Sequence, residues 1–423
     1  MHLLHLISAY GPAHIGNEIH GELGRAIIAR GHRYSVLTLA GRGSPWGLHT
    51  WDDGGITVYE MGQGRGTLAR VEGMLSTRLF HYQPFLFALR SYGDVLLTRL
   101  RDADLVLVEG GYPLGSIAAL WQPVVRRPLA IVLQGGDMHR EERASYGFGR
   151  YAVARHLLRL TLRRATLMRA YSPPGREAAI ERGADPSRVF VVAQNIGAVC
   201  YLPPGTDPAL FRAAARRAVV QRHRLCGPHL LVAVGRLLPI KGFDGLIRAL
   251  PEMERMVSAR VELILCGPDR PVAGIGNYRD YLERLAATCG VRDRLCFTGE
   301  LPHTAVREYL AAADLLVVPS VMEGGAKVVM EAAAVGTPFV ATETAGTPAF
   351  LPDGGLMVPP LARSATAFPR GVAVLLRNSD LRGRLGQRAL EQSPRFSAEN
   401  RAEELVPLYE AARCSATLPT RPA

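Results

Sequence analysis

What the chain is short of sets the first limits. Its six cysteines (Cys200, Cys226, Cys266, Cys289, Cys296 and Cys414) show no C-x-x-C spacing. That scatter fits neither a zinc site nor a dithiol redox centre. The expectation is reduced thiols in a cytoplasmic protein, with no bound metal. No run of 18 apolar residues occurs, so no membrane-spanning helix is expected. The opening MHLLHLISAYGP lacks a basic leader and a small-residue cleavage site, and reads as a buried first strand, not a signal peptide. Aromatic residues make up 7% of the chain and do not interleave with the basic ones, which argues against nucleic-acid binding. The three-glycine dinucleotide fingerprint is missing too.

What is present points to a larger α/β protein. A chain of 423 residues exceeds one ordinary core, so two domains are expected. Hydrophobic content of 48% with 21% charged residues fits a folded globular protein. The formal net charge is +12 and arginine supplies nearly all of the positive charge, a balance suited to nucleotides, phosphates or an acidic membrane face.

Short apolar runs alternate with helical patterns throughout. Strands are expected at His2–Ser8, Tyr34–Leu39, Ile56–Tyr59, Asp104–Glu109, Ala130–Gln134, Leu167–Tyr171 and Val189–Ala193. A fresh series follows at His229–Val234, Val261–Cys266, Leu295–Thr298, Leu315–Val318 and Phe339–Thr342. Such alternation makes doubly wound parallel sheets. A hinge is placed near Tyr201–Asp207, around Pro203-Pro204-Gly205. The expected division is a first domain over 1–201, a second over 202–395, and a helix and tail over 396–423 packing back on the first.

Ligands of open parallel sheets bind beyond the carboxyl ends of strands, so strand-end polar residues are the candidates. In the first half these are Gly16, in the loop before the first helix, and then Glu109, Gln134 and Asp137 as acceptor-side groups. A basic helix over Arg150–Arg169 carries Arg155, Arg159 and Arg163 at four-residue spacing and is a candidate for contact with an anionic membrane. In the second half Arg236 and Lys241 bracket a strand–helix loop, where two cations clamp a diphosphate. After Val318 a loop carries Glu323, Gly324 and Gly325, then Ala326 and Lys327 lead into a helix with Glu331 in its second turn. Free N–H groups at that helix start suit a phosphate beside a carboxylate that grips hydroxyls.

The segments GRLLPIKG, LCFTG and PSVMEGGAKVVMEAAAVGTP resemble the retaining family 4 glycosyltransferases of the GT-B fold, over most of 229–360. The resemblance implies two Rossmann-like domains facing across a cleft, with a nucleotide-sugar donor on the second and a hydroxyl acceptor on the first. It implies that Arg236 and Lys241 hold the donor diphosphate and that Glu331 binds the ribose. Glu323 would contact the donor sugar, Gly324–Lys327 would line its pocket, and Gly16 would match an N-terminal loop glycine. It further implies that the leaving phosphate takes the acceptor proton, with no metal or other cofactor.

Three departures stand out. Asn17 occupies a place where a second glycine is common, Gln134 replaces a usual histidine, and Thr344–Ala349 lacks an acidic residue often found there. A sugar-nucleotide epimerase or hydrolase on the same fold, or a silent nucleotide-sugar-binding subunit, are the alternatives.

Overall fold

A computed structural model describes residues 1–11, 18–40, 44–64, 66–98, 101–138, 147–343 and 350–415. The chain divides into two compact units. One takes the described residues up to Asn195 together with those from Ala398 on; the other takes Ile196–Ser397.

The first unit is built on an eight-stranded sheet. Its strands are β1 (His2–Leu6), β2 (Arg33–Leu39), β3 (Gly47–Asp53), β4 (Ile56–Gly62), β5 (Leu105–Glu109), β6 (Leu129–Leu133), β7 (Leu167–Ala170) and β8 (Val189–Val191), in the order β3-β4-β2-β1-β5-β6-β7-β8. All neighbours run parallel except β3, which is antiparallel to β4. Helices cover both faces, so the strands are buried on both sides and read as aliphatic runs. Leu105 and Leu107 of β5 enter one core while Val106 and Val108 enter the other. The helix Ala398–Ser415 closes one of those cores through Ala402, Leu405 and Tyr409.

The second unit holds a six-stranded, wholly parallel sheet of β9 (His229–Val234), β10 (Val261–Cys266), β13 (Leu295–Gly299), β14 (Leu315–Val318), β15 (Phe339–Thr342) and β16 (Gly355–Val358), ordered β13-β10-β9-β14-β15-β16. A small hairpin, β11 (Pro271–Val272) and β12 (Gly276–Asn277), stands apart from it. In each unit the winding reverses once, between β1 and β5 in the first and between β9 and β14 in the second. Those two switch points are where a doubly wound sheet opens a crevice for ligands.

Four elements escape a reading by hydrophobic pattern. β3 is polar and half exposed because it is an edge strand, and its signal is the turn Asp53-Gly54-Gly55. β16 follows the comparable Asp353-Gly354-Gly355, and the hairpin β11–β12 is only two residues a side. The expected basic helix is shorter than 150–169: it spans Ala152–Arg164, after a turn at Phe148–Arg150. Arg169 instead lies buried in β7, donating to the carbonyls of Val192 (3.1 Å) and Ala193.

Candidate active site

At the switch point of the second sheet, β9 and β14 lie side by side and release their loops at one edge. The β9 loop passes Gly235 and Arg236, makes a tight turn at Pro239–Lys241, and enters the helix Phe243–Val257 through Gly242. Gly242 has φ +69°, and a Cβ there would stand 2.2 Å from the Pro319 carbonyl oxygen. No side chain fits, so the glycine is what lets the β9 loop lie against the β14 loop. The Val321 N–H then donates to the Ile240 carbonyl at 2.9 Å and ties the two loops together.

This contact brings two of the sequence candidates into a pair. Lys241 Nζ donates to Glu323 Oε1 at 2.6 Å, with 17% and 16% of the side chains exposed. Arg236, on the same loop, is exposed and has no carboxylate partner among the described residues. Glu331 is buried on the short helix Lys327–Ala333. Its Oε1 makes no hydrogen bond, yet faces Lys327 Nζ at 3.3 Å and His303 Nδ1 at 3.5 Å. Cys200 Sγ lies 3.6 Å from the same His303 nitrogen.

One expectation changes here. The helix start does not present a full set of free N–H groups, because the N–H of Lys327 donates to Gly325 and that of Val329 to Ala326, both at 2.9 Å. The cationic side chains are therefore the main anion-directed groups at this edge. One compositional signal for them went unused: the chain has only two lysines, Lys241 and Lys327, and both stand here. Arginine serves everywhere else, and lysine differs from it in offering a compact point charge.

The first sheet's switch point gathers the other candidates. Gln134 Nε2 donates to Glu109 Oε2 at 3.0 Å, and Asp137 Oδ2 accepts from the N–H groups of Gly111 (2.6 Å) and Gln134 (3.1 Å). Sequence reasoning missed two histidines beside them: His5 Nε2 and His20 Nδ1 lie 3.4 and 3.6 Å from Glu109 Oε1. The Tyr34 hydroxyl, 2.6 Å from His5 Nδ1, fixes that ring. His5, set between leucines near the carboxyl end of β1, was the available signal.

Opposite electrostatics follow for the two carboxylates. Burial pushes Glu109 upward, but His20, His5 and Arg169 outweigh it and bring the group down to about 2. Asp137 has no such cations, and burial, aided by the charge of Glu109, pushes it up to about 7 against its backbone donors. Gly16, Asn17 and the segment 344–349 lie outside the described residues. Among the described residues two groups bring three ligand atoms within 4.8 Å and could hold a metal ion: His5–His20–Glu109 and Cys200–His303–Glu331.

Both units are similar to known proteins. A family described as "Glycosyl transferase 4-like domain" matches residues 17–194, and "Glycosyl transferases group 1" matches 220–392. A D-inositol 3-phosphate glycosyltransferase of Corynebacterium efficiens is 34% identical over 249 residues, 56% of this chain and 55% of that protein. A GDP-mannose-dependent alpha-(1-6)-phosphatidylinositol monomannoside mannosyltransferase of Mycobacterium tuberculosis is 35% identical over 191 residues, 43% of this chain and 47% of that one. The chain thus spans about half the length of the curated relatives it matches. Among solved structures, the sucrose-phosphate synthase of Thermosynechococcus elongatus aligns with a TM-score of 0.74 at 18% identity, over 98% of this chain and 99% of that one. HepE of Anabaena, in complex with UDP and glucose, aligns with a TM-score of 0.71 at 18% identity, over 97% and 100%.

Proposed function

The chain belongs to the family 4 glycosyltransferases of the GT-B fold, and on that premise we propose that it moves a sugar from a nucleotide-diphosphate donor to a hydroxyl acceptor. The proposal includes retention at the anomeric carbon, independence from metal ions, and action in the cytoplasm. Among the described residues no helix is long and apolar enough to cross a membrane.

The observation that carries the reading is the Lys241–Glu323 pair at 2.6 Å, held at the switch point by loops that only Gly242 allows to meet. An ammonium and a carboxylate bound to each other are poised to exchange partners. A donor's diphosphate recruits Lys241 together with Arg236, and the freed Glu323 accepts from the sugar hydroxyls. Glu331, with one oxygen free of hydrogen bonds, takes the ribose hydroxyls, and Gly324, Gly325, Ala326 and Lys327 line the pocket. Glu109 and Gln134 face the acceptor, and Asp137 shapes their loop by binding its N–H groups.

In the reaction the bond from the anomeric carbon to the diphosphate oxygen breaks and a bond to the acceptor oxygen forms on the same face. The acceptor proton passes to the leaving phosphate oxygen. Negative charge grows on the diphosphate as it departs, and fixed cations that meet it there lower the barrier; one such group is worth about 10²–10³ in rate.

Having only two lysines makes a direct test available. UDP-glucose and GDP-mannose, the donors suggested by the neighbours and relatives, are offered before an amine-reactive reagent, and the labelled peptides are read by mass spectrometry. A true donor protects Lys241 and Lys327, and transfer to an acceptor continues in EDTA. Full labelling with every nucleotide sugar refutes the donor site, and loss of turnover in EDTA refutes metal independence. Release of free sugar with no transferred product would identify a hydrolase.

A further inference from the structure

The helix Thr67–Phe80 lies on the first unit with its apolar side outward. Toward the protein it turns Gly73 and Ser76, its two buried residues. Leu68, Val71, Leu75 and Leu79 fall within a sector of about 80° at 100° per residue, and they are 60%, 42%, 41% and 53% exposed. Met74 beside them is 64% exposed. A helix at home in water does the reverse and keeps its leucines inside. A contiguous exposed apolar stripe of this kind marks an interaction surface.

Charge on the surrounding surface says what the stripe meets. Arg78 borders it, about 20° from Val71 at 100° per residue, and Arg70 lies further round on the same side; both are exposed and neither is in an ion pair among the described residues. The helix has one acid, Glu72, which is engaged by Arg90 at 3.4 Å. Next to it runs the helix Ala152–Arg164, which carries no acid and exposes Arg155, Arg159 and Arg163. The two helices are joined at their ends, where the His81 ring stacks on Tyr151 with centroids 3.6 Å apart. A cavity of about 860 Å³, lined by Gly73, Thr77, Arg70, Met74 and Gln83, opens on the other side of the helix and takes in none of the stripe's leucines.

We infer that this face docks on an anionic lipid bilayer. The leucine stripe enters the boundary between headgroups and acyl chains, and Arg78 with the exposed arginines of the neighbouring helix holds the lipid phosphates. Attachment through the basic helix alone, as the sequence suggests, lacks an inserting group, because that helix keeps Ala154, Leu158 and Leu162 buried. The neighbouring helix supplies it. A second copy of the chain is a poorer occupant, since a two-fold contact over the stripe would offer Arg78 no acid: the helix's one acid, Glu72, is already engaged by Arg90. This inference stands on the surface of one unit and does not depend on the sugar-transfer reading.

Flotation of the full chain with vesicles tests it. Binding is expected to vesicles of phosphatidylcholine mixed with phosphatidylglycerol, to weaken in high salt, and to be at least tenfold poorer with phosphatidylcholine alone. The double variant Leu75→Glu/Leu79→Glu should lose at least tenfold in affinity, and Leu68→Ser/Val71→Ser serves as a second probe. Thermal unfolding should match the wild type in both, because the altered side chains are exposed. The inference is overturned if the wild type stays off anionic vesicles, or if both folded variants bind as tightly as it does. It is equally overturned if the stripe mediates a solution dimer that the charged variant dissociates without any vesicle binding.

Discussion

Lys241 and Glu323, 82 residues apart in the chain, form an ion pair of 2.6 Å between two loops that leave neighbouring strands of the second sheet. The pair neutralises both groups, and each partner is mostly shielded from water.

If the pair works as one device, its members fail together. Lys241→Ala and Glu323→Ala are each expected to lose about 10²-fold in turnover. The double variant should be no worse than the poorer single one, because groups acting as a unit are not additive. Steady-state kinetics with matched far-ultraviolet circular dichroism decides the point. Wild-type turnover in either single variant removes it from the mechanism.

Gly242 sets the distance between the same loops, and Gly242→Ala asks for two impossible things at once. The residue needs a left-handed backbone, which costs a side chain about 1–2 kcal/mol, and the new Cβ collides with the Pro319 carbonyl. The variant should lose more than about 2 kcal/mol in denaturant unfolding. Gly383→Ala is the control: it lies in the helix Ser379–Gln392 with open space around it, and should gain about 0.8–1 kcal/mol. Equal effects at the two positions would contradict the loop argument.

Asp137 gives the protein a pH dependence with a defined sign. An ordinary aspartate titrates near 3.8, whereas burial lifts Asp137 to about 7. Between those values the folded chain keeps a proton that the unfolded chain has released, so this residue's stabilisation is complete below pH 4 and is lost as pH rises to 7. Asp137→Asn keeps an oxygen for the Gly111 and Gln134 N–H groups and removes the titration. The stability of the variant relative to wild type should therefore improve by about 2 kcal/mol between pH 5 and pH 8. Thermal unfolding across that range measures it, and a flat difference would show that Asp137 does not titrate there.

Much of the second unit was legible in advance because its determinants are local. Strands buried on both faces must be aliphatic, so β9, β10, β14 and β15 announce themselves as short apolar runs. A parallel sheet then obliges the loops after β9 and β14 to share an edge, which puts Lys241 near Glu323 before any coordinates exist. The first unit's site was less legible. Glu109 could be named from its strand end, but its partners His5 and His20 come from a strand and a helix some 100 residues earlier, and their registration with β5 is a tertiary fact.

The sequence by itself determined that there are two doubly wound sheets and which loops carry the charged groups. Side-chain period and strand direction settle those matters within a few residues of chain. Only the tertiary structure decided which groups are paired, which are buried, and which way each helix turns. Thr67–Phe80 shows the physical reason: periodicity reveals a leucine stripe, yet the small side chains of Gly73 and Ser76 let the opposite face approach the protein and leave the stripe in water.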